Sequence, residues 1–231
     1  MDDVATVAST RTRGRGGATF IFETLRHDII ALTLAPGTIL SRADLQDRFG
    51  LSSTPVRDAL MRLQEEGLVD IFPQHATVVS PIDLEKARQG QFLRRSIELE
   101  IVRTLALNPD PVAIERLRSL IRQQNAFAKL GEHTAFTGAD QTFHKTMYDS
   151  ANVPDLWHVV NRHVGHIDRL RRLHLPMPGK MHDVVCDHQS IVDAIAAGKP
   201  DEAQVRLRDH LSRSLGFVET LRVSHPGYFR P

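Results

Sequence analysis

The sequence predicts a mostly α-helical protein, in which an N-terminal winged helix-turn-helix precedes an all-α bundle of about six helices with a central cavity. Three observations support this fold class. Apolar residues recur at helical spacing on both sides of Gly50, two short β-prone runs follow Gly67, and the chain beyond Ser80 shows only helical periodicity. The predicted parts are a disordered basic arm at 1–18, a winged helix-turn-helix DNA-binding domain at 19–80, an all-α effector- and metal-binding domain at 81–223, and a tail at 224–231.

The helix-turn-helix is predicted from its caps and its two apolar faces. The first helix ends at the C-cap Gly50, and its apolar face is formed by Leu40, Leu45 and Phe49. Ser52 or Ser53 caps the second helix, whose apolar stripe is formed by Val56, Ala59, Leu60 and Leu63. Thr54 and Arg57 stay outside that stripe near the N-terminus, the part of a recognition helix that reaches base edges. An ordinary αα-hairpin followed by a β-hairpin fits the same pattern.

The composition narrows the class of protein further. The chain has 231 residues, of which 41% are hydrophobic, enough for packed cores. A single cysteine, Cys186, excludes a disulfide framework, and no apolar run approaches the length of a membrane span. We therefore expect a cytoplasmic protein without a membrane partner.

The charge of the chain is nearly balanced, at +1. Residues 11–80 hold eight basic and eight acidic side chains, so a surface for DNA phosphates has to come from local clustering. The Gly-rich basic segment Arg11–Gly17 fits an arm that enters a minor groove, and it fits a solvated tail as well.

Proline and its neighbours divide the C-terminal part into helices. Pro81, Pro111, Pro154 and Pro200 each stand where the first turn of a helix tolerates proline. The predicted helices span 83–107, 111–130, 133–150, 154–174, 181–197 and 201–222.

Four polar residues occupy inward positions of these helices, namely Asp140, His144, His188 and His210. Burying a carboxylate and three imidazoles without partners would cost several kcal/mol. One divalent metal would satisfy all four, most simply Zn²⁺, with Mn²⁺ or Ni²⁺ as alternatives. Each histidine alone also fits a hydrogen-bonded core residue. His163 and His166 are expected at the surface or behind the ligands, with His166 as the substitute ligand.

Arg94 shares a predicted helical face with Ile97, Ile101 and Leu105. A buried arginine needs an anionic partner. Glu98, one turn further on, and the carboxylate of a bound effector fit that role equally well.

The run Ser52–Val69 resembles the signature of the GntR superfamily of bacterial transcription regulators, and the segment Ile21–Leu40 is similar to the family's first helix and the turn after it. The resemblance implies operator-DNA binding. The DNA-binding positions that follow from it are Arg42, Ser53, Thr54, Arg57 and His75.

Three of these positions depart from the family pattern. Ser53 replaces a frequent arginine, Arg42 and Ala43 replace a glutamate followed by a basic residue, and His75 replaces a glycine at the wing tip. The sequence therefore predicts modest affinity for DNA.

The C-terminal part resembles the FCD ligand-binding domain of the FadR-type branch. The resemblance rests on four runs, Phe92–Glu100, Asp140–His144, Asp187–Lys199 and Arg208–Leu211. It implies that Asp140, His144, His188 and His210 are metal ligands and that Arg94 meets the effector.

The resulting hypothesis is a homodimeric regulator whose binding to double-stranded operator DNA responds to a small carboxylate at the metal. Two other classes use the same residues: a metal-dependent enzyme acting on an organic acid, and a helical interaction module with a structural metal. No catalytic spacing such as H-E-x-x-H or G-x-S-x-G occurs, which argues against the enzyme.

Overall fold

The computed structural model describes residues 3–73 and 75–230, and side chains throughout these ranges except those of residues 3–15 and Ser214. Its contacts divide the chain into Met1–Leu84 with His225–Pro231 as the first unit and Glu85–Ser224 as the second. The division agrees with a boundary near Ser80. It differs from the sequence prediction in assigning the predicted tail at 224–231 almost entirely to the first unit.

The first unit contains the predicted winged helix-turn-helix. Its elements are α1 (Asp3–Ile30), α2 (Arg42–Phe49), α3 (Ser53–Glu65), β1 (Val69–Phe72) and β2 (Ala76–Val79). Ser41 caps α2 by accepting a hydrogen bond from the backbone of Asp44, and Gly50 ends it with φ of 62°. The strands pair antiparallel, with Val69 opposite Val79.

The core of the first unit lies between α1 and α3. Ile21, Leu25 and Ile29 on α1 are fully buried, as are Val56 and Leu63 on α3. The apolar stripe predicted for α3 is therefore its buried face, which leaves the opposite face of the helix for solvent.

Residues 3–18 of the predicted disordered arm belong to α1, which begins at Asp3. The helix runs through Gly14, Gly16 and Gly17, the glycines that favoured a flexible arm, and continues into the core. The side chains of Arg11, Arg13 and Arg15 lie outside the described part, and a minor-groove role for Arg11–Gly17 stays a prediction.

The second unit is all helical in its described residues. Its helices are α4 (Leu84–Leu107), α5 (Pro111–Leu130), α6 (His133–Ser150), α7 (Pro154–His163), α8 (Gly165–His174), α9 (Lys180–Ala196), α10 (Pro200–Ser212) and α11 (Val218–Ser224). None of the helices in the described part of the chain combines the length and apolar character needed to cross a bilayer.

Two predicted helices are broken in the structure. The prediction at 154–174 is interrupted at Val164, where the carbonyl of His163 lies directly against Gly90 of α4 in a space that a Cβ would fill. The prediction at 201–222 is interrupted by a 3₁₀ turn at Arg213–Leu215, which Gly216 follows. Hydrophobic periodicity continues through both breaks, so the sequence alone did not show them.

Candidate metal centre and DNA-reading face

The five predicted DNA-binding residues are all exposed. Ser53, Thr54 and Arg57 lie in the first turns of α3, Arg42 begins α2, and His75 lies in the turn of the wing. The first turn of α3 has no acidic residue, so the positive end of its helix dipole is not neutralised there. This surface offers backbone N–H groups and a guanidinium to an anion.

Other arginines of the first unit have partners within the unit. Arg26 pairs with Glu66 at 2.6 Å, and Arg48 pairs with Asp28 at 2.8 Å. Arg62 lies over the ring of Phe22, 3.9 Å from its centroid. Carboxylates thus neutralise Arg26 and Arg48 within the fold, and the exposed Arg57 itself lies 3.5 Å from Asp58.

Three of the four predicted metal ligands form one buried cluster in the second unit. His144 on α6, His188 on α9 and His210 on α10 each offer a ligand atom, and these atoms all lie within 4.8 Å of one another. The Nε2 atoms of His188 and His210 are 3.3 Å apart. Asp140 stands beside the cluster, with Oδ1 3.7 Å from Nε2 of His188.

The other ring nitrogens of the cluster face oxygen atoms. Nδ1 of His188 is 2.8 Å from Oε1 of Gln124, and Nδ1 of His210 is 3.3 Å from Oδ2 of Asp187. With these oxygens as acceptors, the tautomer that satisfies both contacts has each Nδ1 protonated and donating. The two Nε2 lone pairs therefore face each other at 3.3 Å, an arrangement that calls for a cation between them.

Glu98 on α4 completes this pattern at His144. Nδ1 of His144 is 3.0 Å from Oε2 of Glu98, and its Nε2 has no hydrogen-bond partner in the described structure. Each of the three imidazoles thus has one nitrogen beside an oxygen acceptor, the arrangement that orients histidines toward a metal.

Burial keeps the imidazoles of His188 and His210 neutral. It lowers the pKa of His188 well below its ordinary value, and the neighbouring His210 lowers it further. Burial likewise lowers the pKa of His210 to about 4, although its hydrogen bond with Asp187 acts in the opposite direction. At neutral pH both side chains present lone pairs, which a metal requires.

Asp140 is held ionised by a residue that sequence reasoning missed. Burial raises the pKa of Asp140, but Arg171 and His144 outweigh it, so the pKa lies below its ordinary range. Arg171 donates to Oδ2 at 2.6 Å, while Oδ1, nearer the histidines, has no hydrogen-bond partner in the described structure. The donor set of three imidazoles and one carboxylate oxygen fits a divalent cation.

Arg94 and Glu98 form the intramolecular pair that the sequence allowed. Nε of Arg94 donates to Oε1 of Glu98 at 2.7 Å, with both side chains buried, and the hydroxyl of Tyr148 donates to the same oxygen at 3.3 Å. Burial raises the pKa of Glu98, yet the charges of Arg94 and His144 hold it below its ordinary range.

A pocket opens beside the cluster. Arg94, Asp140, His144, Asp168 and Arg171 contribute its polar lining, and Trp157, Val160 and Val164 much of its apolar lining. The pocket holds charges of both signs, because Arg94 is paired with Glu98 and Arg171 with Asp140 and Asp168.

His163 and His166, which the sequence placed at the surface or behind the ligands, lie outside the cluster. His163 is exposed at the end of α7. His166 is buried, and its Nδ1 is 2.9 Å from a guanidinium nitrogen of Arg169.

Three neighbours of the cluster were missed in the sequence. Gln124 interrupts the apolar stripe of α5 formed by Ile114, Leu117, Leu120 and Ile121, so its position was a usable signal. Asp187 and Arg171 gave no such signal, because each stands among other charged residues on its helix.

A winged helix-turn-helix whose second helix exposes its N-terminal residues is the architecture of a DNA-binding protein. Residues 18–79 match the model of bacterial regulatory proteins of the gntR family, and residues 91–213 match the FCD domain. The chain belongs to the GntR family of bacterial regulatory proteins and has an FCD domain. Its domains and relatives are those of transcription regulators, not of enzymes.

Similarity to relatives and to a solved structure extends over most of the chain. An uncharacterized HTH-type transcriptional regulator of Streptomyces ambofaciens is 34% identical over 220 residues, which cover 95% of this chain and 92% of the relative. The HTH-type transcriptional repressor RspR of Escherichia coli is 27% identical, covering 90% and 92%. The fold is similar to E. coli McbR/YncC, with a TM-score of 0.75 at 19% identity over 88% of this chain and 97% of that one.

Proposed function

We propose that this GntR-family regulator binds operator DNA as a dimer and that a small carboxylic acid, held at a divalent metal in the FCD domain, modulates the binding. The observation that supports the metal is the pair of Nε2 lone pairs facing each other at 3.3 Å in a buried site. Neither imidazole can relieve this contact by rotating without losing its Nδ1 partner.

The metal would be held by His144, His188 and His210 together with Oδ1 of Asp140. Three nitrogens and one oxygen suit Zn²⁺ best, and Mn²⁺ or Ni²⁺ also accept such ligands. When bound, the ion would supply a positive charge that attracts a carboxylate. The neutral imidazoles of His188 and His210 and the ionised Asp140 are ready to bind it at neutral pH.

Metal content tests this centre. Protein purified without chelators should contain one divalent ion per chain by mass spectrometry, and His144→Ala should lose it. His163→Ala, which removes an exposed imidazole, is the matched control and should keep it. Wild-type protein that neither contains metal nor takes up Zn²⁺ in a titration would refute the metal centre.

The pocket supports an anionic effector. Arg94 contributes a buried guanidinium that is already paired with Glu98, whereas the side chain of Arg171 is 22% exposed. Arg94 is paired with Glu98, and Arg171 with Asp140 and Asp168. We infer that a bound metal would supply the net positive charge at the pocket and that Arg171 would offer the more accessible N–H groups. A carboxylate would bind the ion and accept charge-assisted hydrogen bonds from Arg171.

A thermal-shift panel of organic acids on the metal-loaded protein tests the effector. An acid at 100 times its dissociation constant should add about 2.7 kcal/mol of stability. Arg171→Gln should remove most of that gain, and Arg172→Gln, whose wild-type side chain bonds to Thr134 instead, should not. If metal-loaded protein responds to no acid and resists chelators, the metal is structural.

The exposed N-terminal part of α3 supports operator binding. Arg57→Ala should weaken binding to the DNA upstream of the protein's own gene by about 1–3 kcal/mol. The control is Arg48→Ala, which removes an exposed arginine from the last turn of α2. Failure of wild-type protein to retain this DNA at low salt would contradict the proposal.

Dimerisation is proposed from the geometry of DNA reading, because two half-sites require two recognition helices. Light scattering should give twice the chain mass of 25.9 kDa for the free protein. A monomer that binds one half-site with full affinity would exclude the dimer.

A further inference from the structure

The segment that follows α11 pairs with the connection between the winged domain and α4. The backbone N–H of Ile82 donates to the carbonyl of Tyr228 at 2.7 Å, and the N–H of Arg230 donates to the carbonyl of Ile82 at 2.9 Å. Ile82 and Phe229 thereby form a parallel β-bridge. The predicted tail is thus an ordered part of the first unit.

Side chains reinforce this bridge. Ile82 is fully buried and Phe229 is 7% exposed. The guanidinium of Arg230 lies 3.3 Å from Oδ2 of Asp83 and 3.5 Å from Oδ2 of Asp70 on β1. The exposed ion pairs contribute little free energy, so the apolar contact and the two backbone hydrogen bonds are the main attachment.

The bridge lies close to the two points at which the chain passes between the units. Ile82 lies between the end of β2 at Val79 and the start of α4 at Leu84, where the chain passes from the first unit to the second. The chain returns to the first unit at His225. The segment of the first unit that leads into the second unit and the segment that follows the return are therefore hydrogen-bonded to each other.

We propose that residues 225–230 form the second strand of the inter-domain linker and restrict the reorientation of the DNA-binding domain. A single extended strand rotates about many backbone bonds, whereas a paired connection loses most of that freedom. The second strand is also close in sequence to the metal centre, since His210 on α10 is followed by the 3₁₀ turn, α11 and then this segment. That this segment couples the metal centre to the DNA-binding domain rests on the proposed function. The stiffening of the linker does not depend on it.

Distance measurements between spin labels test the stiffening directly. One label is attached to the exposed Cys186 and the other to Asp47→Cys on the exposed face of α2, in protein diluted with unlabelled chains. Phe229→Asp should broaden the distance distribution, as should a chain ending after Ser224. Arg222→Gln makes the same change of charge at an exposed position of α11 and should leave it unchanged.

Hydrogen exchange gives a second readout at the bridge. The amide of Ile82 should exchange at least about tenfold faster in Phe229→Asp, because local opening then costs less. An unchanged distance distribution together with unchanged exchange at Ile82 would overturn the proposal, whatever the protein's metal content.

Communication between the metal centre and the DNA-binding domain is measured as the ratio of the DNA affinities with and without Zn²⁺. In wild-type protein the ratio should differ from one, and in Phe229→Asp it should move toward one while Zn²⁺ still binds. A ratio that Phe229→Asp leaves unchanged would overturn the transmitting role. Loss of Zn²⁺ binding from the wild type would instead count against the metal centre.

Discussion

The two units place their functional side chains in opposite environments. In the first unit, Thr54 and Arg57 project from an apolar core into solvent. In the second unit, Asp140, His144 and His188 lie within the core itself. Loss of a DNA-reading side chain should therefore leave stability nearly intact, whereas loss of a side chain around the histidines should cost both binding and stability.

The largest expected effect is at the buried ion pair. Glu98→Ala leaves the guanidinium of Arg94 buried without its carboxylate and should destabilise the second unit by about 3–5 kcal/mol in urea unfolding. Glu115→Ala, which breaks the exposed pair with Arg122, should change stability by about 1 kcal/mol or less. Equal effects of the two substitutions would contradict the contrast between the environments.

Leu60→Ala tests the same contrast between buried and exposed side chains in the core of the first unit. Leu60 is 1% exposed, and the cavity should cost about 2–5 kcal/mol. Met61→Ala, which shortens a neighbouring side chain that is 49% exposed, should have little effect. Zn²⁺ affinity should be unchanged in both, and a parallel loss of metal would show that the units do not fold independently.

Asp187→Asn should weaken Zn²⁺ binding by about 10–100-fold, because a neutral amide replaces the charged carboxylate behind His210 and accepts a weaker hydrogen bond. Competition with a chelator measures the affinity. Asp193→Asn on the same helix, where the aspartate pairs with the exposed Arg118, should bind Zn²⁺ normally. Identical affinities in the two variants would remove Asp187 from the metal centre.

The smallest expected effect is a pH dependence from His174, which packs against Phe217 in the second unit. Burial and the nearby Lys180 lower its pKa to about 4. Because the unfolded chain binds this proton more readily, stability should fall as the pH decreases from about 6.5 to 4, by at most about 1.4 kcal/mol per pH unit for one proton. Metal-free His174→Phe, which keeps a ring that cannot titrate, should show a shallower dependence, and an unchanged slope would exclude His174.

More of the fold could be predicted from the sequence in the first unit than of the site in the second. Gly50 and the stripe from Val56 to Leu63 were enough for the helix-turn-helix, because caps and periodicity are local signals. Asp140 and the three histidines were found because polar residues interrupted apolar faces. Arg171 was missed because its role depends on the path of α8 after the break at Val164, which packing against Gly90 determines.

The internal pairing of Arg26, Arg48 and Arg62 has a consequence for the search for an operator. Arginines that are already paired with carboxylates, as Arg26 and Arg48 are, release few counterions from random DNA and add little to its binding. A genome offers about 10⁶–10⁹ competing sites, so weak background binding leaves more of the protein available to its operator. Occupancy of the promoter would then depend on base recognition by the exposed end of α3 more than on general attraction to phosphate.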